Sequence, residues 1–543
     1  MPFVPDVAPV ANSLWVSALV ALVPLAVMFF TLGVLKWKVH WAGLTSLAVA
    51  VVISVVAYHM PLSLSLLSAS QGAAFGLFPI TYIVLAAIWM YQITVVSGRF
   101  EDLRAAFGLI SDDPRVLAIL IAFCFGGLLE ALAGFGAPLA ITGVMLMAIG
   151  YSAIRAAVVV LIANTAPVAF GAVAIPIITA GQLTGIPYAY LGAVVGRQTS
   201  VLAALVPLLL IFLADGRKGF RQVWPFALVM GVTFGAAKWI ASSYISVELT
   251  DVIASLVALA VGVIMLRFWK PKGTAEAQQR LRAESGDAAP AAPAAEAPKL
   301  TGGRIAMAVF PYLLVVAVFA VAKLWLVKVM SIKGITVLEF GWPGLFGQVA
   351  AAKPFSFDWL PNPGTLLLIC GIIVAIVYRV SFADAWAELG RTAYKLRWTA
   401  LTIATVLALA SVMNLSGQTI TIGTWIAGVG SIFAFLSPVL GYLGTAVTGS
   451  DTSANALFAT LQQRVALQLH IDPALLVAAN TSGGTVGKVI SPQNLAIAAT
   501  AVGLVGQEAL LLRKVIGWSL LLLVIFCLLV GLQSTPVLGW MLP

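Results

Sequence analysis

Apolar runs close to bilayer length recur along the whole 543-residue chain. They fall at 12–34, 41–59, 76–96, 224–241, 252–268, 305–327, 364–380 and 515–533, and each approaches the ~20 residues that a membrane-spanning helix needs. Two stretches differ. Between Val116 and Ala214, and between Trp398 and Gly506, the apolar pattern is broken by Gly, Pro, Ser, Thr and Asn. Irregular backbone at membrane depth survives only where protein or a watery cavity satisfies its polar groups. The two regions 116–214 and 398–506 are therefore where a pathway is expected.

These regions resemble one another. The first reads VVLIANTAPVAFGAVAIPI at 159–177 and the second LLVAANTSGGTVGKVISPQ at 475–493, each with Asn-Thr after small residues and Pro twelve positions after the Asn (Pro176, Pro492). Upstream lie GGLLEALAGFGAPLAI at 126–141 and VTGSDTSANALFAT at 447–460, each placing one carboxylate, Glu130 or Asp451, in otherwise uncharged sequence. The reading is a re-entrant hairpin followed by a broken helix in each half, with the second helix ending at Asn480-Thr481. Matched interruptions of this kind point to the site of a secondary transporter. An Ala/Pro/Glu-rich stretch within 273–303 reads as a flexible cytoplasmic linker between a first repeat, 1–272, and a second, 304–543.

Composition agrees: 61% of residues are hydrophobic and 9% charged, against roughly 25% charged in soluble domains. No charged residue occurs in the 60 positions between Lys38 and Arg99, nor in the 53 between Arg397 and Asp451. The net charge of +10 is scattered in short clusters at Lys36/Lys38, Arg99–Arg115, Arg217–Arg221, Arg267–Arg304, Arg379–Arg397 and Arg513/Lys514. That pattern encodes topology rather than nucleic-acid binding, and it places these clusters in the cytoplasm and both termini outside. No cleavage site follows the first apolar run, so a cleaved signal peptide is not expected. Cys124, Cys370 and Cys527 lie in apolar runs, and His40, His59 and His470 have no metal-ligand spacing, so no metal or cofactor is implied. Phosphate-loop and nucleophile-elbow motifs are absent, which argues against ATP-driven transport and membrane catalysis. The pattern does not specify an oligomeric state.

A carboxylate at membrane depth costs about 3 kcal/mol on insertion scales. Glu130 suits a proton carrier, and Asp451 is the second such residue; the plainer readings are a structural carboxylate paired with Arg155 or Arg197, and a helix N-cap. The run Ser450, Asp451, Thr452, Ser453 and Asn455 also offers hard-cation oxygens. Asn480, Thr481, Ser482, Gly483 and Gly484 would present free amides at a helix break, which favour a carboxylate. Lys488 is the counter-charge for an anionic substrate or a snorkelling lysine, and Arg197 is a second candidate. Asn164, Thr165 and Gln493 complete the polar set.

At FGGLLEALAGFGAPLAIT, NTAPVAFGAVAIPI, LTDVIASLVAL, TGSDTSANALFA and NTSGGTVGKVISPQNLAIA the chain resembles the lactate permease family, from Leu14 to Pro543. The resemblance implies an all-α polytopic bacterial inner-membrane protein with about 12–14 transmembrane helices in two inverted repeats, the hairpin regions moving as a unit against a scaffold. It implies proton-coupled uptake of L-lactate, with D-lactate and glycolate as further 2-hydroxymonocarboxylate substrates. The substrate carboxylate would meet Lys488 and the broken-helix amides, and its 2-hydroxyl Asn480, Ser450, Thr452, Asn164 or Thr165. Alternatives are sodium coupling at Asp451 and Ser450, and an anion-binding membrane subunit that moves nothing. The family's hairpin reads LEGAAGFGAP, whereas Ala131 and Leu132 follow Glu130 here; the bulk of Leu132 bears on the preference for lactate over the smaller glycolate.

Overall fold

The computed structural model describes all residues except 1, 108, 135, 286–300, 325 and 327–329. Among the described residues ten helices are long and apolar enough to cross a membrane, or eleven if one bent pair counts as a span. Two shorter apolar helices, Ala137–Ala148 and Pro363–Val377, fall below that length. The chain is an all-α polytopic membrane protein.

Most apolar runs become helices near their expected bounds: Leu14–Gly33, Val39–Val56, Thr250–Phe268, Gly302–Leu324 and Glu508–Gln533. The run at 224–241 is the second part of Tyr188–Ile240, which breaks at Asp215 and Gly216, the latter at φ 64°. Three expectations are corrected. The span placed at 76–96 begins at Leu62 and continues to Val96 through a distortion at Phe78-Pro79. The second irregular region does not start at Trp398, because Phe382–Ser416 is one helix whose charged first turns stand outside the apolar part. Part of the linker is ordered as the helix Thr274–Ser285; residues 286–300 lie outside the described residues.

That helix is held by a buried ionic knot. Arg115 pairs with Asp113 (2.7 Å) and Asp215 (3.3 Å), and Arg280 joins Asp215 at 2.6 Å. Thr274 Oγ1 donates to Asp113 Oδ2 at 2.8 Å. Asp113 also caps the helix Pro114–Ala118, accepting from the amides of Arg115 and Val116. A short antiparallel pair, Val337–Phe340 with Phe355–Asp358, adds the only named strands among the described residues.

Two groups of helices frame the site. A scaffold packs Leu14–Gly33, Val39–Val56, Leu62–Val96, Pro363–Val377 and Phe382–Ser416 together. A core contains two hairpins and two broken helices. The first hairpin runs from Pro114–Leu132 by way of Gly134 and Gly136, at φ 54° and 85°, to Ala137–Ala148. Its broken helix, Ala153–Ala163 with Val168–Thr184, bends by 63°. The second hairpin is Phe433–Thr448 and Asp451–Gln468, followed by Pro473–Gly487, a turn at Lys488–Ile490, and Pro492–Ala501.

The second broken helix departs from expectation. It stays helical through Asn480–Gly484 and breaks only at Lys488–Ser491. Its glycines serve close packing: a Cβ on Gly483 would collide with the Pro438 carbonyl oxygen, and one on Gly487 with that of Tyr442. The facing Gly441 is equally tight against the Asn480 carbonyl oxygen. Small residues that let helix backbones touch are the usual adhesive of membrane bundles. Gly441→Ala is therefore expected to lower stability by about 1–3 kcal/mol, read as earlier thermal unfolding in detergent. Gly517→Ala, where a Cβ meets nothing within 4 Å, should be neutral; equal effects of the two would refute the packing role.

Candidate functional site

Between scaffold and core lies a cavity of about 390 Å³. The core contributes Glu130 and Gly134 from the first hairpin, Gly171, Ala172 and Pro176 from the first broken helix, Ser450–Ser453 from the second hairpin turn, and Lys488, Gln493 and Asn494 from the second break. The scaffold supplies Lys38, His40, Trp398, Thr399 and Thr402. Both hairpin tips and both helix breaks thus meet at one space, where polar backbone has a reason to exist.

At its centre Lys488 Nζ donates to Glu130 Oε1 at 2.6 Å. Glu130 is 2% exposed and Lys488 8%. The other carboxylate oxygen, Oε2, accepts from Asn164 Nδ2 at 3.0 Å, so the acid ties the first hairpin to both broken helices. Room for it comes from Gly171, where a Cβ would sit 2.9 Å from Oε1. The next three residues, Ala172, Val173 and Ala174, have φ of 44°, 61° and 58°. Left-handed backbone at such residues costs roughly 1–2 kcal/mol each. A costly turn of this kind, facing a cavity, marks a functional position more often than a packing accident.

Asp451 opens the second arm of the second hairpin, just past its tip. It is buried, and its Oδ1 accepts weakly from Thr445 Oγ1 at 3.5 Å. Its Oδ2 has no hydrogen-bond partner among the described residues. It too is seated against a glycine, since a Cβ on Gly484 would collide with Oδ1. The cap of Asp451–Gln468 is Ser450, whose side chain accepts from the Ser453 amide, which leaves the Asp451 carboxylate uncommitted to capping.

The structure brings together Glu130, Ser450, Asp451, Thr452, Ser453, Lys488 and Gln493 at the cavity. The remaining candidates stand behind it. Asn455 Nδ2 donates to the Pro176 carbonyl (3.1 Å) and to Thr481 Oγ1 (2.9 Å), and Asn480 Nδ2 donates to Asn455 Oδ1 (2.9 Å). Ser482 Oγ donates to Gln198 Oε1 at 2.6 Å. Thr165 Oγ1 donates to the Ile162 carbonyl at the helix end, and Asn164 reaches the cavity only through Glu130. Arg197 donates to the Met541 carbonyl at 3.0 Å and lies over Trp239, away from Glu130. Leu132 is buried at 3% exposure and does not line the cavity.

Some residues of this region escaped the sequence reading. Asn494 Nδ2 donates to Ser491 Oγ (2.7 Å) and toward the Gly449 carbonyl (3.4 Å), linking the second break to the second hairpin tip. His40 stacks on Trp398 at 4.6 Å on the scaffold wall. Lys238 and Asp251 form a fully buried pair at 3.1 Å, and Lys238 Nζ donates to the Ala166 carbonyl at 2.5 Å, inside the first helix break. The signal for that pair was a charge in the apolar run 224–241 and another immediately before the next.

Known proteins match this chain along nearly its full length. The family model for L-lactate permease covers residues 17–537. The L-lactate permease of Bacillus subtilis (strain 168) is 40% identical over 98% of this chain and 99% of its own. Glycolate permease GlcA of Escherichia coli (strain K12) is 40% identical, covering 96% of each, and the L-lactate permease of the same strain is 37% identical over 98% of each. Among solved structures, the Alcanivorax borkumensis YdaH transporter matches with a TM-score of 0.44 at 15% identity, covering 86% of each chain. By the family model and these full-length relatives, the chain belongs to the L-lactate permease family.

Proposed function

We propose that this multi-pass inner-membrane protein takes up L-lactate and related 2-hydroxymonocarboxylates, D-lactate and glycolate, together with a proton. Its relatives are named permeases for L-lactate and for glycolate, which supports the substrate class. The observation that carries the coupling is the Lys488–Glu130 pair on the cavity. While Glu130 is ionised it holds the one cation that, among the described residues, the cavity's core side offers to an anion. Protonating Glu130 at Oε1 removes that hold, and the substrate carboxylate then takes its place at Lys488 Nζ. Anion and proton load as a neutral pair, which lowers the cost of passing a region of low dielectric. Asn164, donating to Oε2 at 3.0 Å, holds the carboxyl group in place beside Lys488.

The hydroxyls of Ser450 and Thr452 at the second hairpin tip are placed to meet the substrate's 2-hydroxyl. The two hairpin and broken-helix units are read as inverted repeats that move together against the scaffold. Sodium coupling is the second reading, because the unpartnered Asp451 Oδ2 belongs to a carboxylate grouped with the hydroxyls of Thr445 and Ser450. One experiment separates the two: labelled L-lactate uptake into proteoliposomes under an inward proton gradient in sodium-free buffer. Accumulation that collapses with a protonophore is the expected result. Accumulation that begins only when sodium is added would overturn proton coupling, and saturable binding without accumulation would overturn transport.

A further inference from the structure

A second cavity, of about 320 Å³, opens on the same seam between scaffold and core. Three elements run from one cavity to the other. The helix Phe382–Ser416 gives Trp398, Thr399, Thr402 and Ile403 to the first and Leu407, Ser411 and Asn414 to the second. The arm Asp451–Gln468 gives its first turn to the first cavity and Thr460, Gln463 and Arg464 to the second. The first broken helix gives Gly171–Pro176 to one and Gln182 and Leu183 to the other. The second cavity is covered by the connection that carries Lys353, and the charge distribution places that connection outside, whereas the first cavity reaches Lys38 on the cytoplasmic side.

The lining of the second cavity is chemically one-sided. Its described residues include Arg464, Lys353 and the side-chain amides of Gln71, Gln182, Asn414 and Gln463, and no Asp or Glu. Some other cations of this chain meet acids: Arg304 meets Asp102 at 2.5 Å, Arg280 meets Asp215 and Arg391 meets Glu388. Among the described residues neither Arg464 nor Lys353 has a carboxylate within ion-pair distance. A space of 320 Å³ is about as wide as the Debye length of ~8 Å at physiological salt, so both charges act across most of it. Low-dielectric walls lined by one sign of charge concentrate the opposite ion and raise its rate of capture.

We propose that this outer cavity is a second anion site, which gathers the monocarboxylate at Arg464 and Lys353 before it reaches Lys488. The inference rests on the transport reading above for its direction, but not for its chemistry. Arg464 supplies the planar fork that matches a carboxylate, Lys353 a mobile second charge, and Gln182 or Asn414 a partner for the 2-hydroxyl. The site loads the pathway and takes no part in coupling.

Two measurements in intact cells test it. The first is initial L-lactate uptake: Arg464→Gln, and independently Lys353→Gln, should raise KM, by about tenfold for the arginine variant, while the maximal rate stays near that of the unaltered protein. The second does not depend on transport. Gln182→Cys places a thiol in the cavity, and an anionic thiosulfonate reagent should modify it several-fold faster than a cationic one of similar size. L-lactate should slow that modification, adding Arg464→Gln should weaken the preference, and adding Lys353→Gln as well should erase it. An unchanged KM in both charge variants would overturn the proposal, as would equal reaction of the two reagents with the Gln182→Cys variant that keeps Arg464. Loss of accumulation in the unaltered protein, with the reagent preference intact, would instead overturn the transport reading and leave the anion site standing.

Discussion

Glu130→Gln should abolish proton-driven accumulation of L-lactate while preserving exchange of internal for external lactate, and Lys488→Met should abolish both. Glutamine mimics the protonated acid: it leaves Lys488 Nζ free to meet the substrate carboxylate but has no proton to carry. Binding and exchange therefore continue without coupling. Lys488→Met removes the cation and leaves the Glu130 carboxylate, 2% exposed, without its 2.6 Å partner. Truncating one member of a buried, hydrogen-bonded charge pair costs about 2–5 kcal/mol, which corresponds to roughly 30- to 4000-fold in an equilibrium. Part of that loss is stability rather than function, and Glu130→Gln combined with Lys488→Met distinguishes them. The double variant removes both charges of the pair and leaves neither member alone, so it should be more stable than Lys488→Met by itself and still bind no lactate. Normal pH-driven accumulation by Glu130→Gln in proteoliposomes would show that Glu130 is not the proton carrier. Lactate binding by the double variant would exclude Lys488 as the anion's counter-charge.

The elements of this site differ in how plainly the sequence announced them. Charge is expensive at membrane depth, so Glu130, Asp451 and Lys488 stood out against uncharged surroundings. The structure brings Glu130 and Lys488 together across 358 positions of sequence. The repeated Asn-Thr and Pro spacing also located two helix breaks. It misplaced the second, because glycine serves two purposes that look alike in a string of letters. Gly483 and Gly487 accommodate the neighbouring backbone at Pro438 and Tyr442 and leave their helix intact, whereas Gly171 makes room for a carboxylate beside three left-handed residues. Which use applies depends on what packs against the glycine, and that is tertiary information. The scaffold wall was hidden for the same reason. Lys38 and His40 read as the cytoplasmic edge of a span, and only the docking of Val39–Val56 against Phe382–Ser416 turns that edge toward the core.

Lys238→Met is expected to be among the most destabilising single changes in the chain, and Asp251→Asn in the same molecule to restore most of the loss. Lys238 and Asp251 are both 0% exposed, and Lys238 Nζ lies 4.9 Å and 5.8 Å from the ring centres of Phe170 and Phe234. Removing one partner of such a pair costs about 3–5 kcal/mol, while replacing both by neutral groups of similar size is often nearly neutral. Thermal unfolding of the single and double variants in detergent measures the difference; equal stabilities would mean that the pair is not charged in the folded protein. Stability and transport should then part company. Lys238 also donates to the Ala166 carbonyl, which lies in the break between Ala163 and Val168 where the helix itself supplies no partner for it. Asn164, the donor to Glu130 Oε2, is two residues away. The double variant, though stable, lacks the donor that fixes this turn, so Asn164 shifts relative to the acid and uptake falls. Full uptake by a stable double variant would show that the turn holds its shape without Lys238, and would reduce the buried pair to a matter of folding alone.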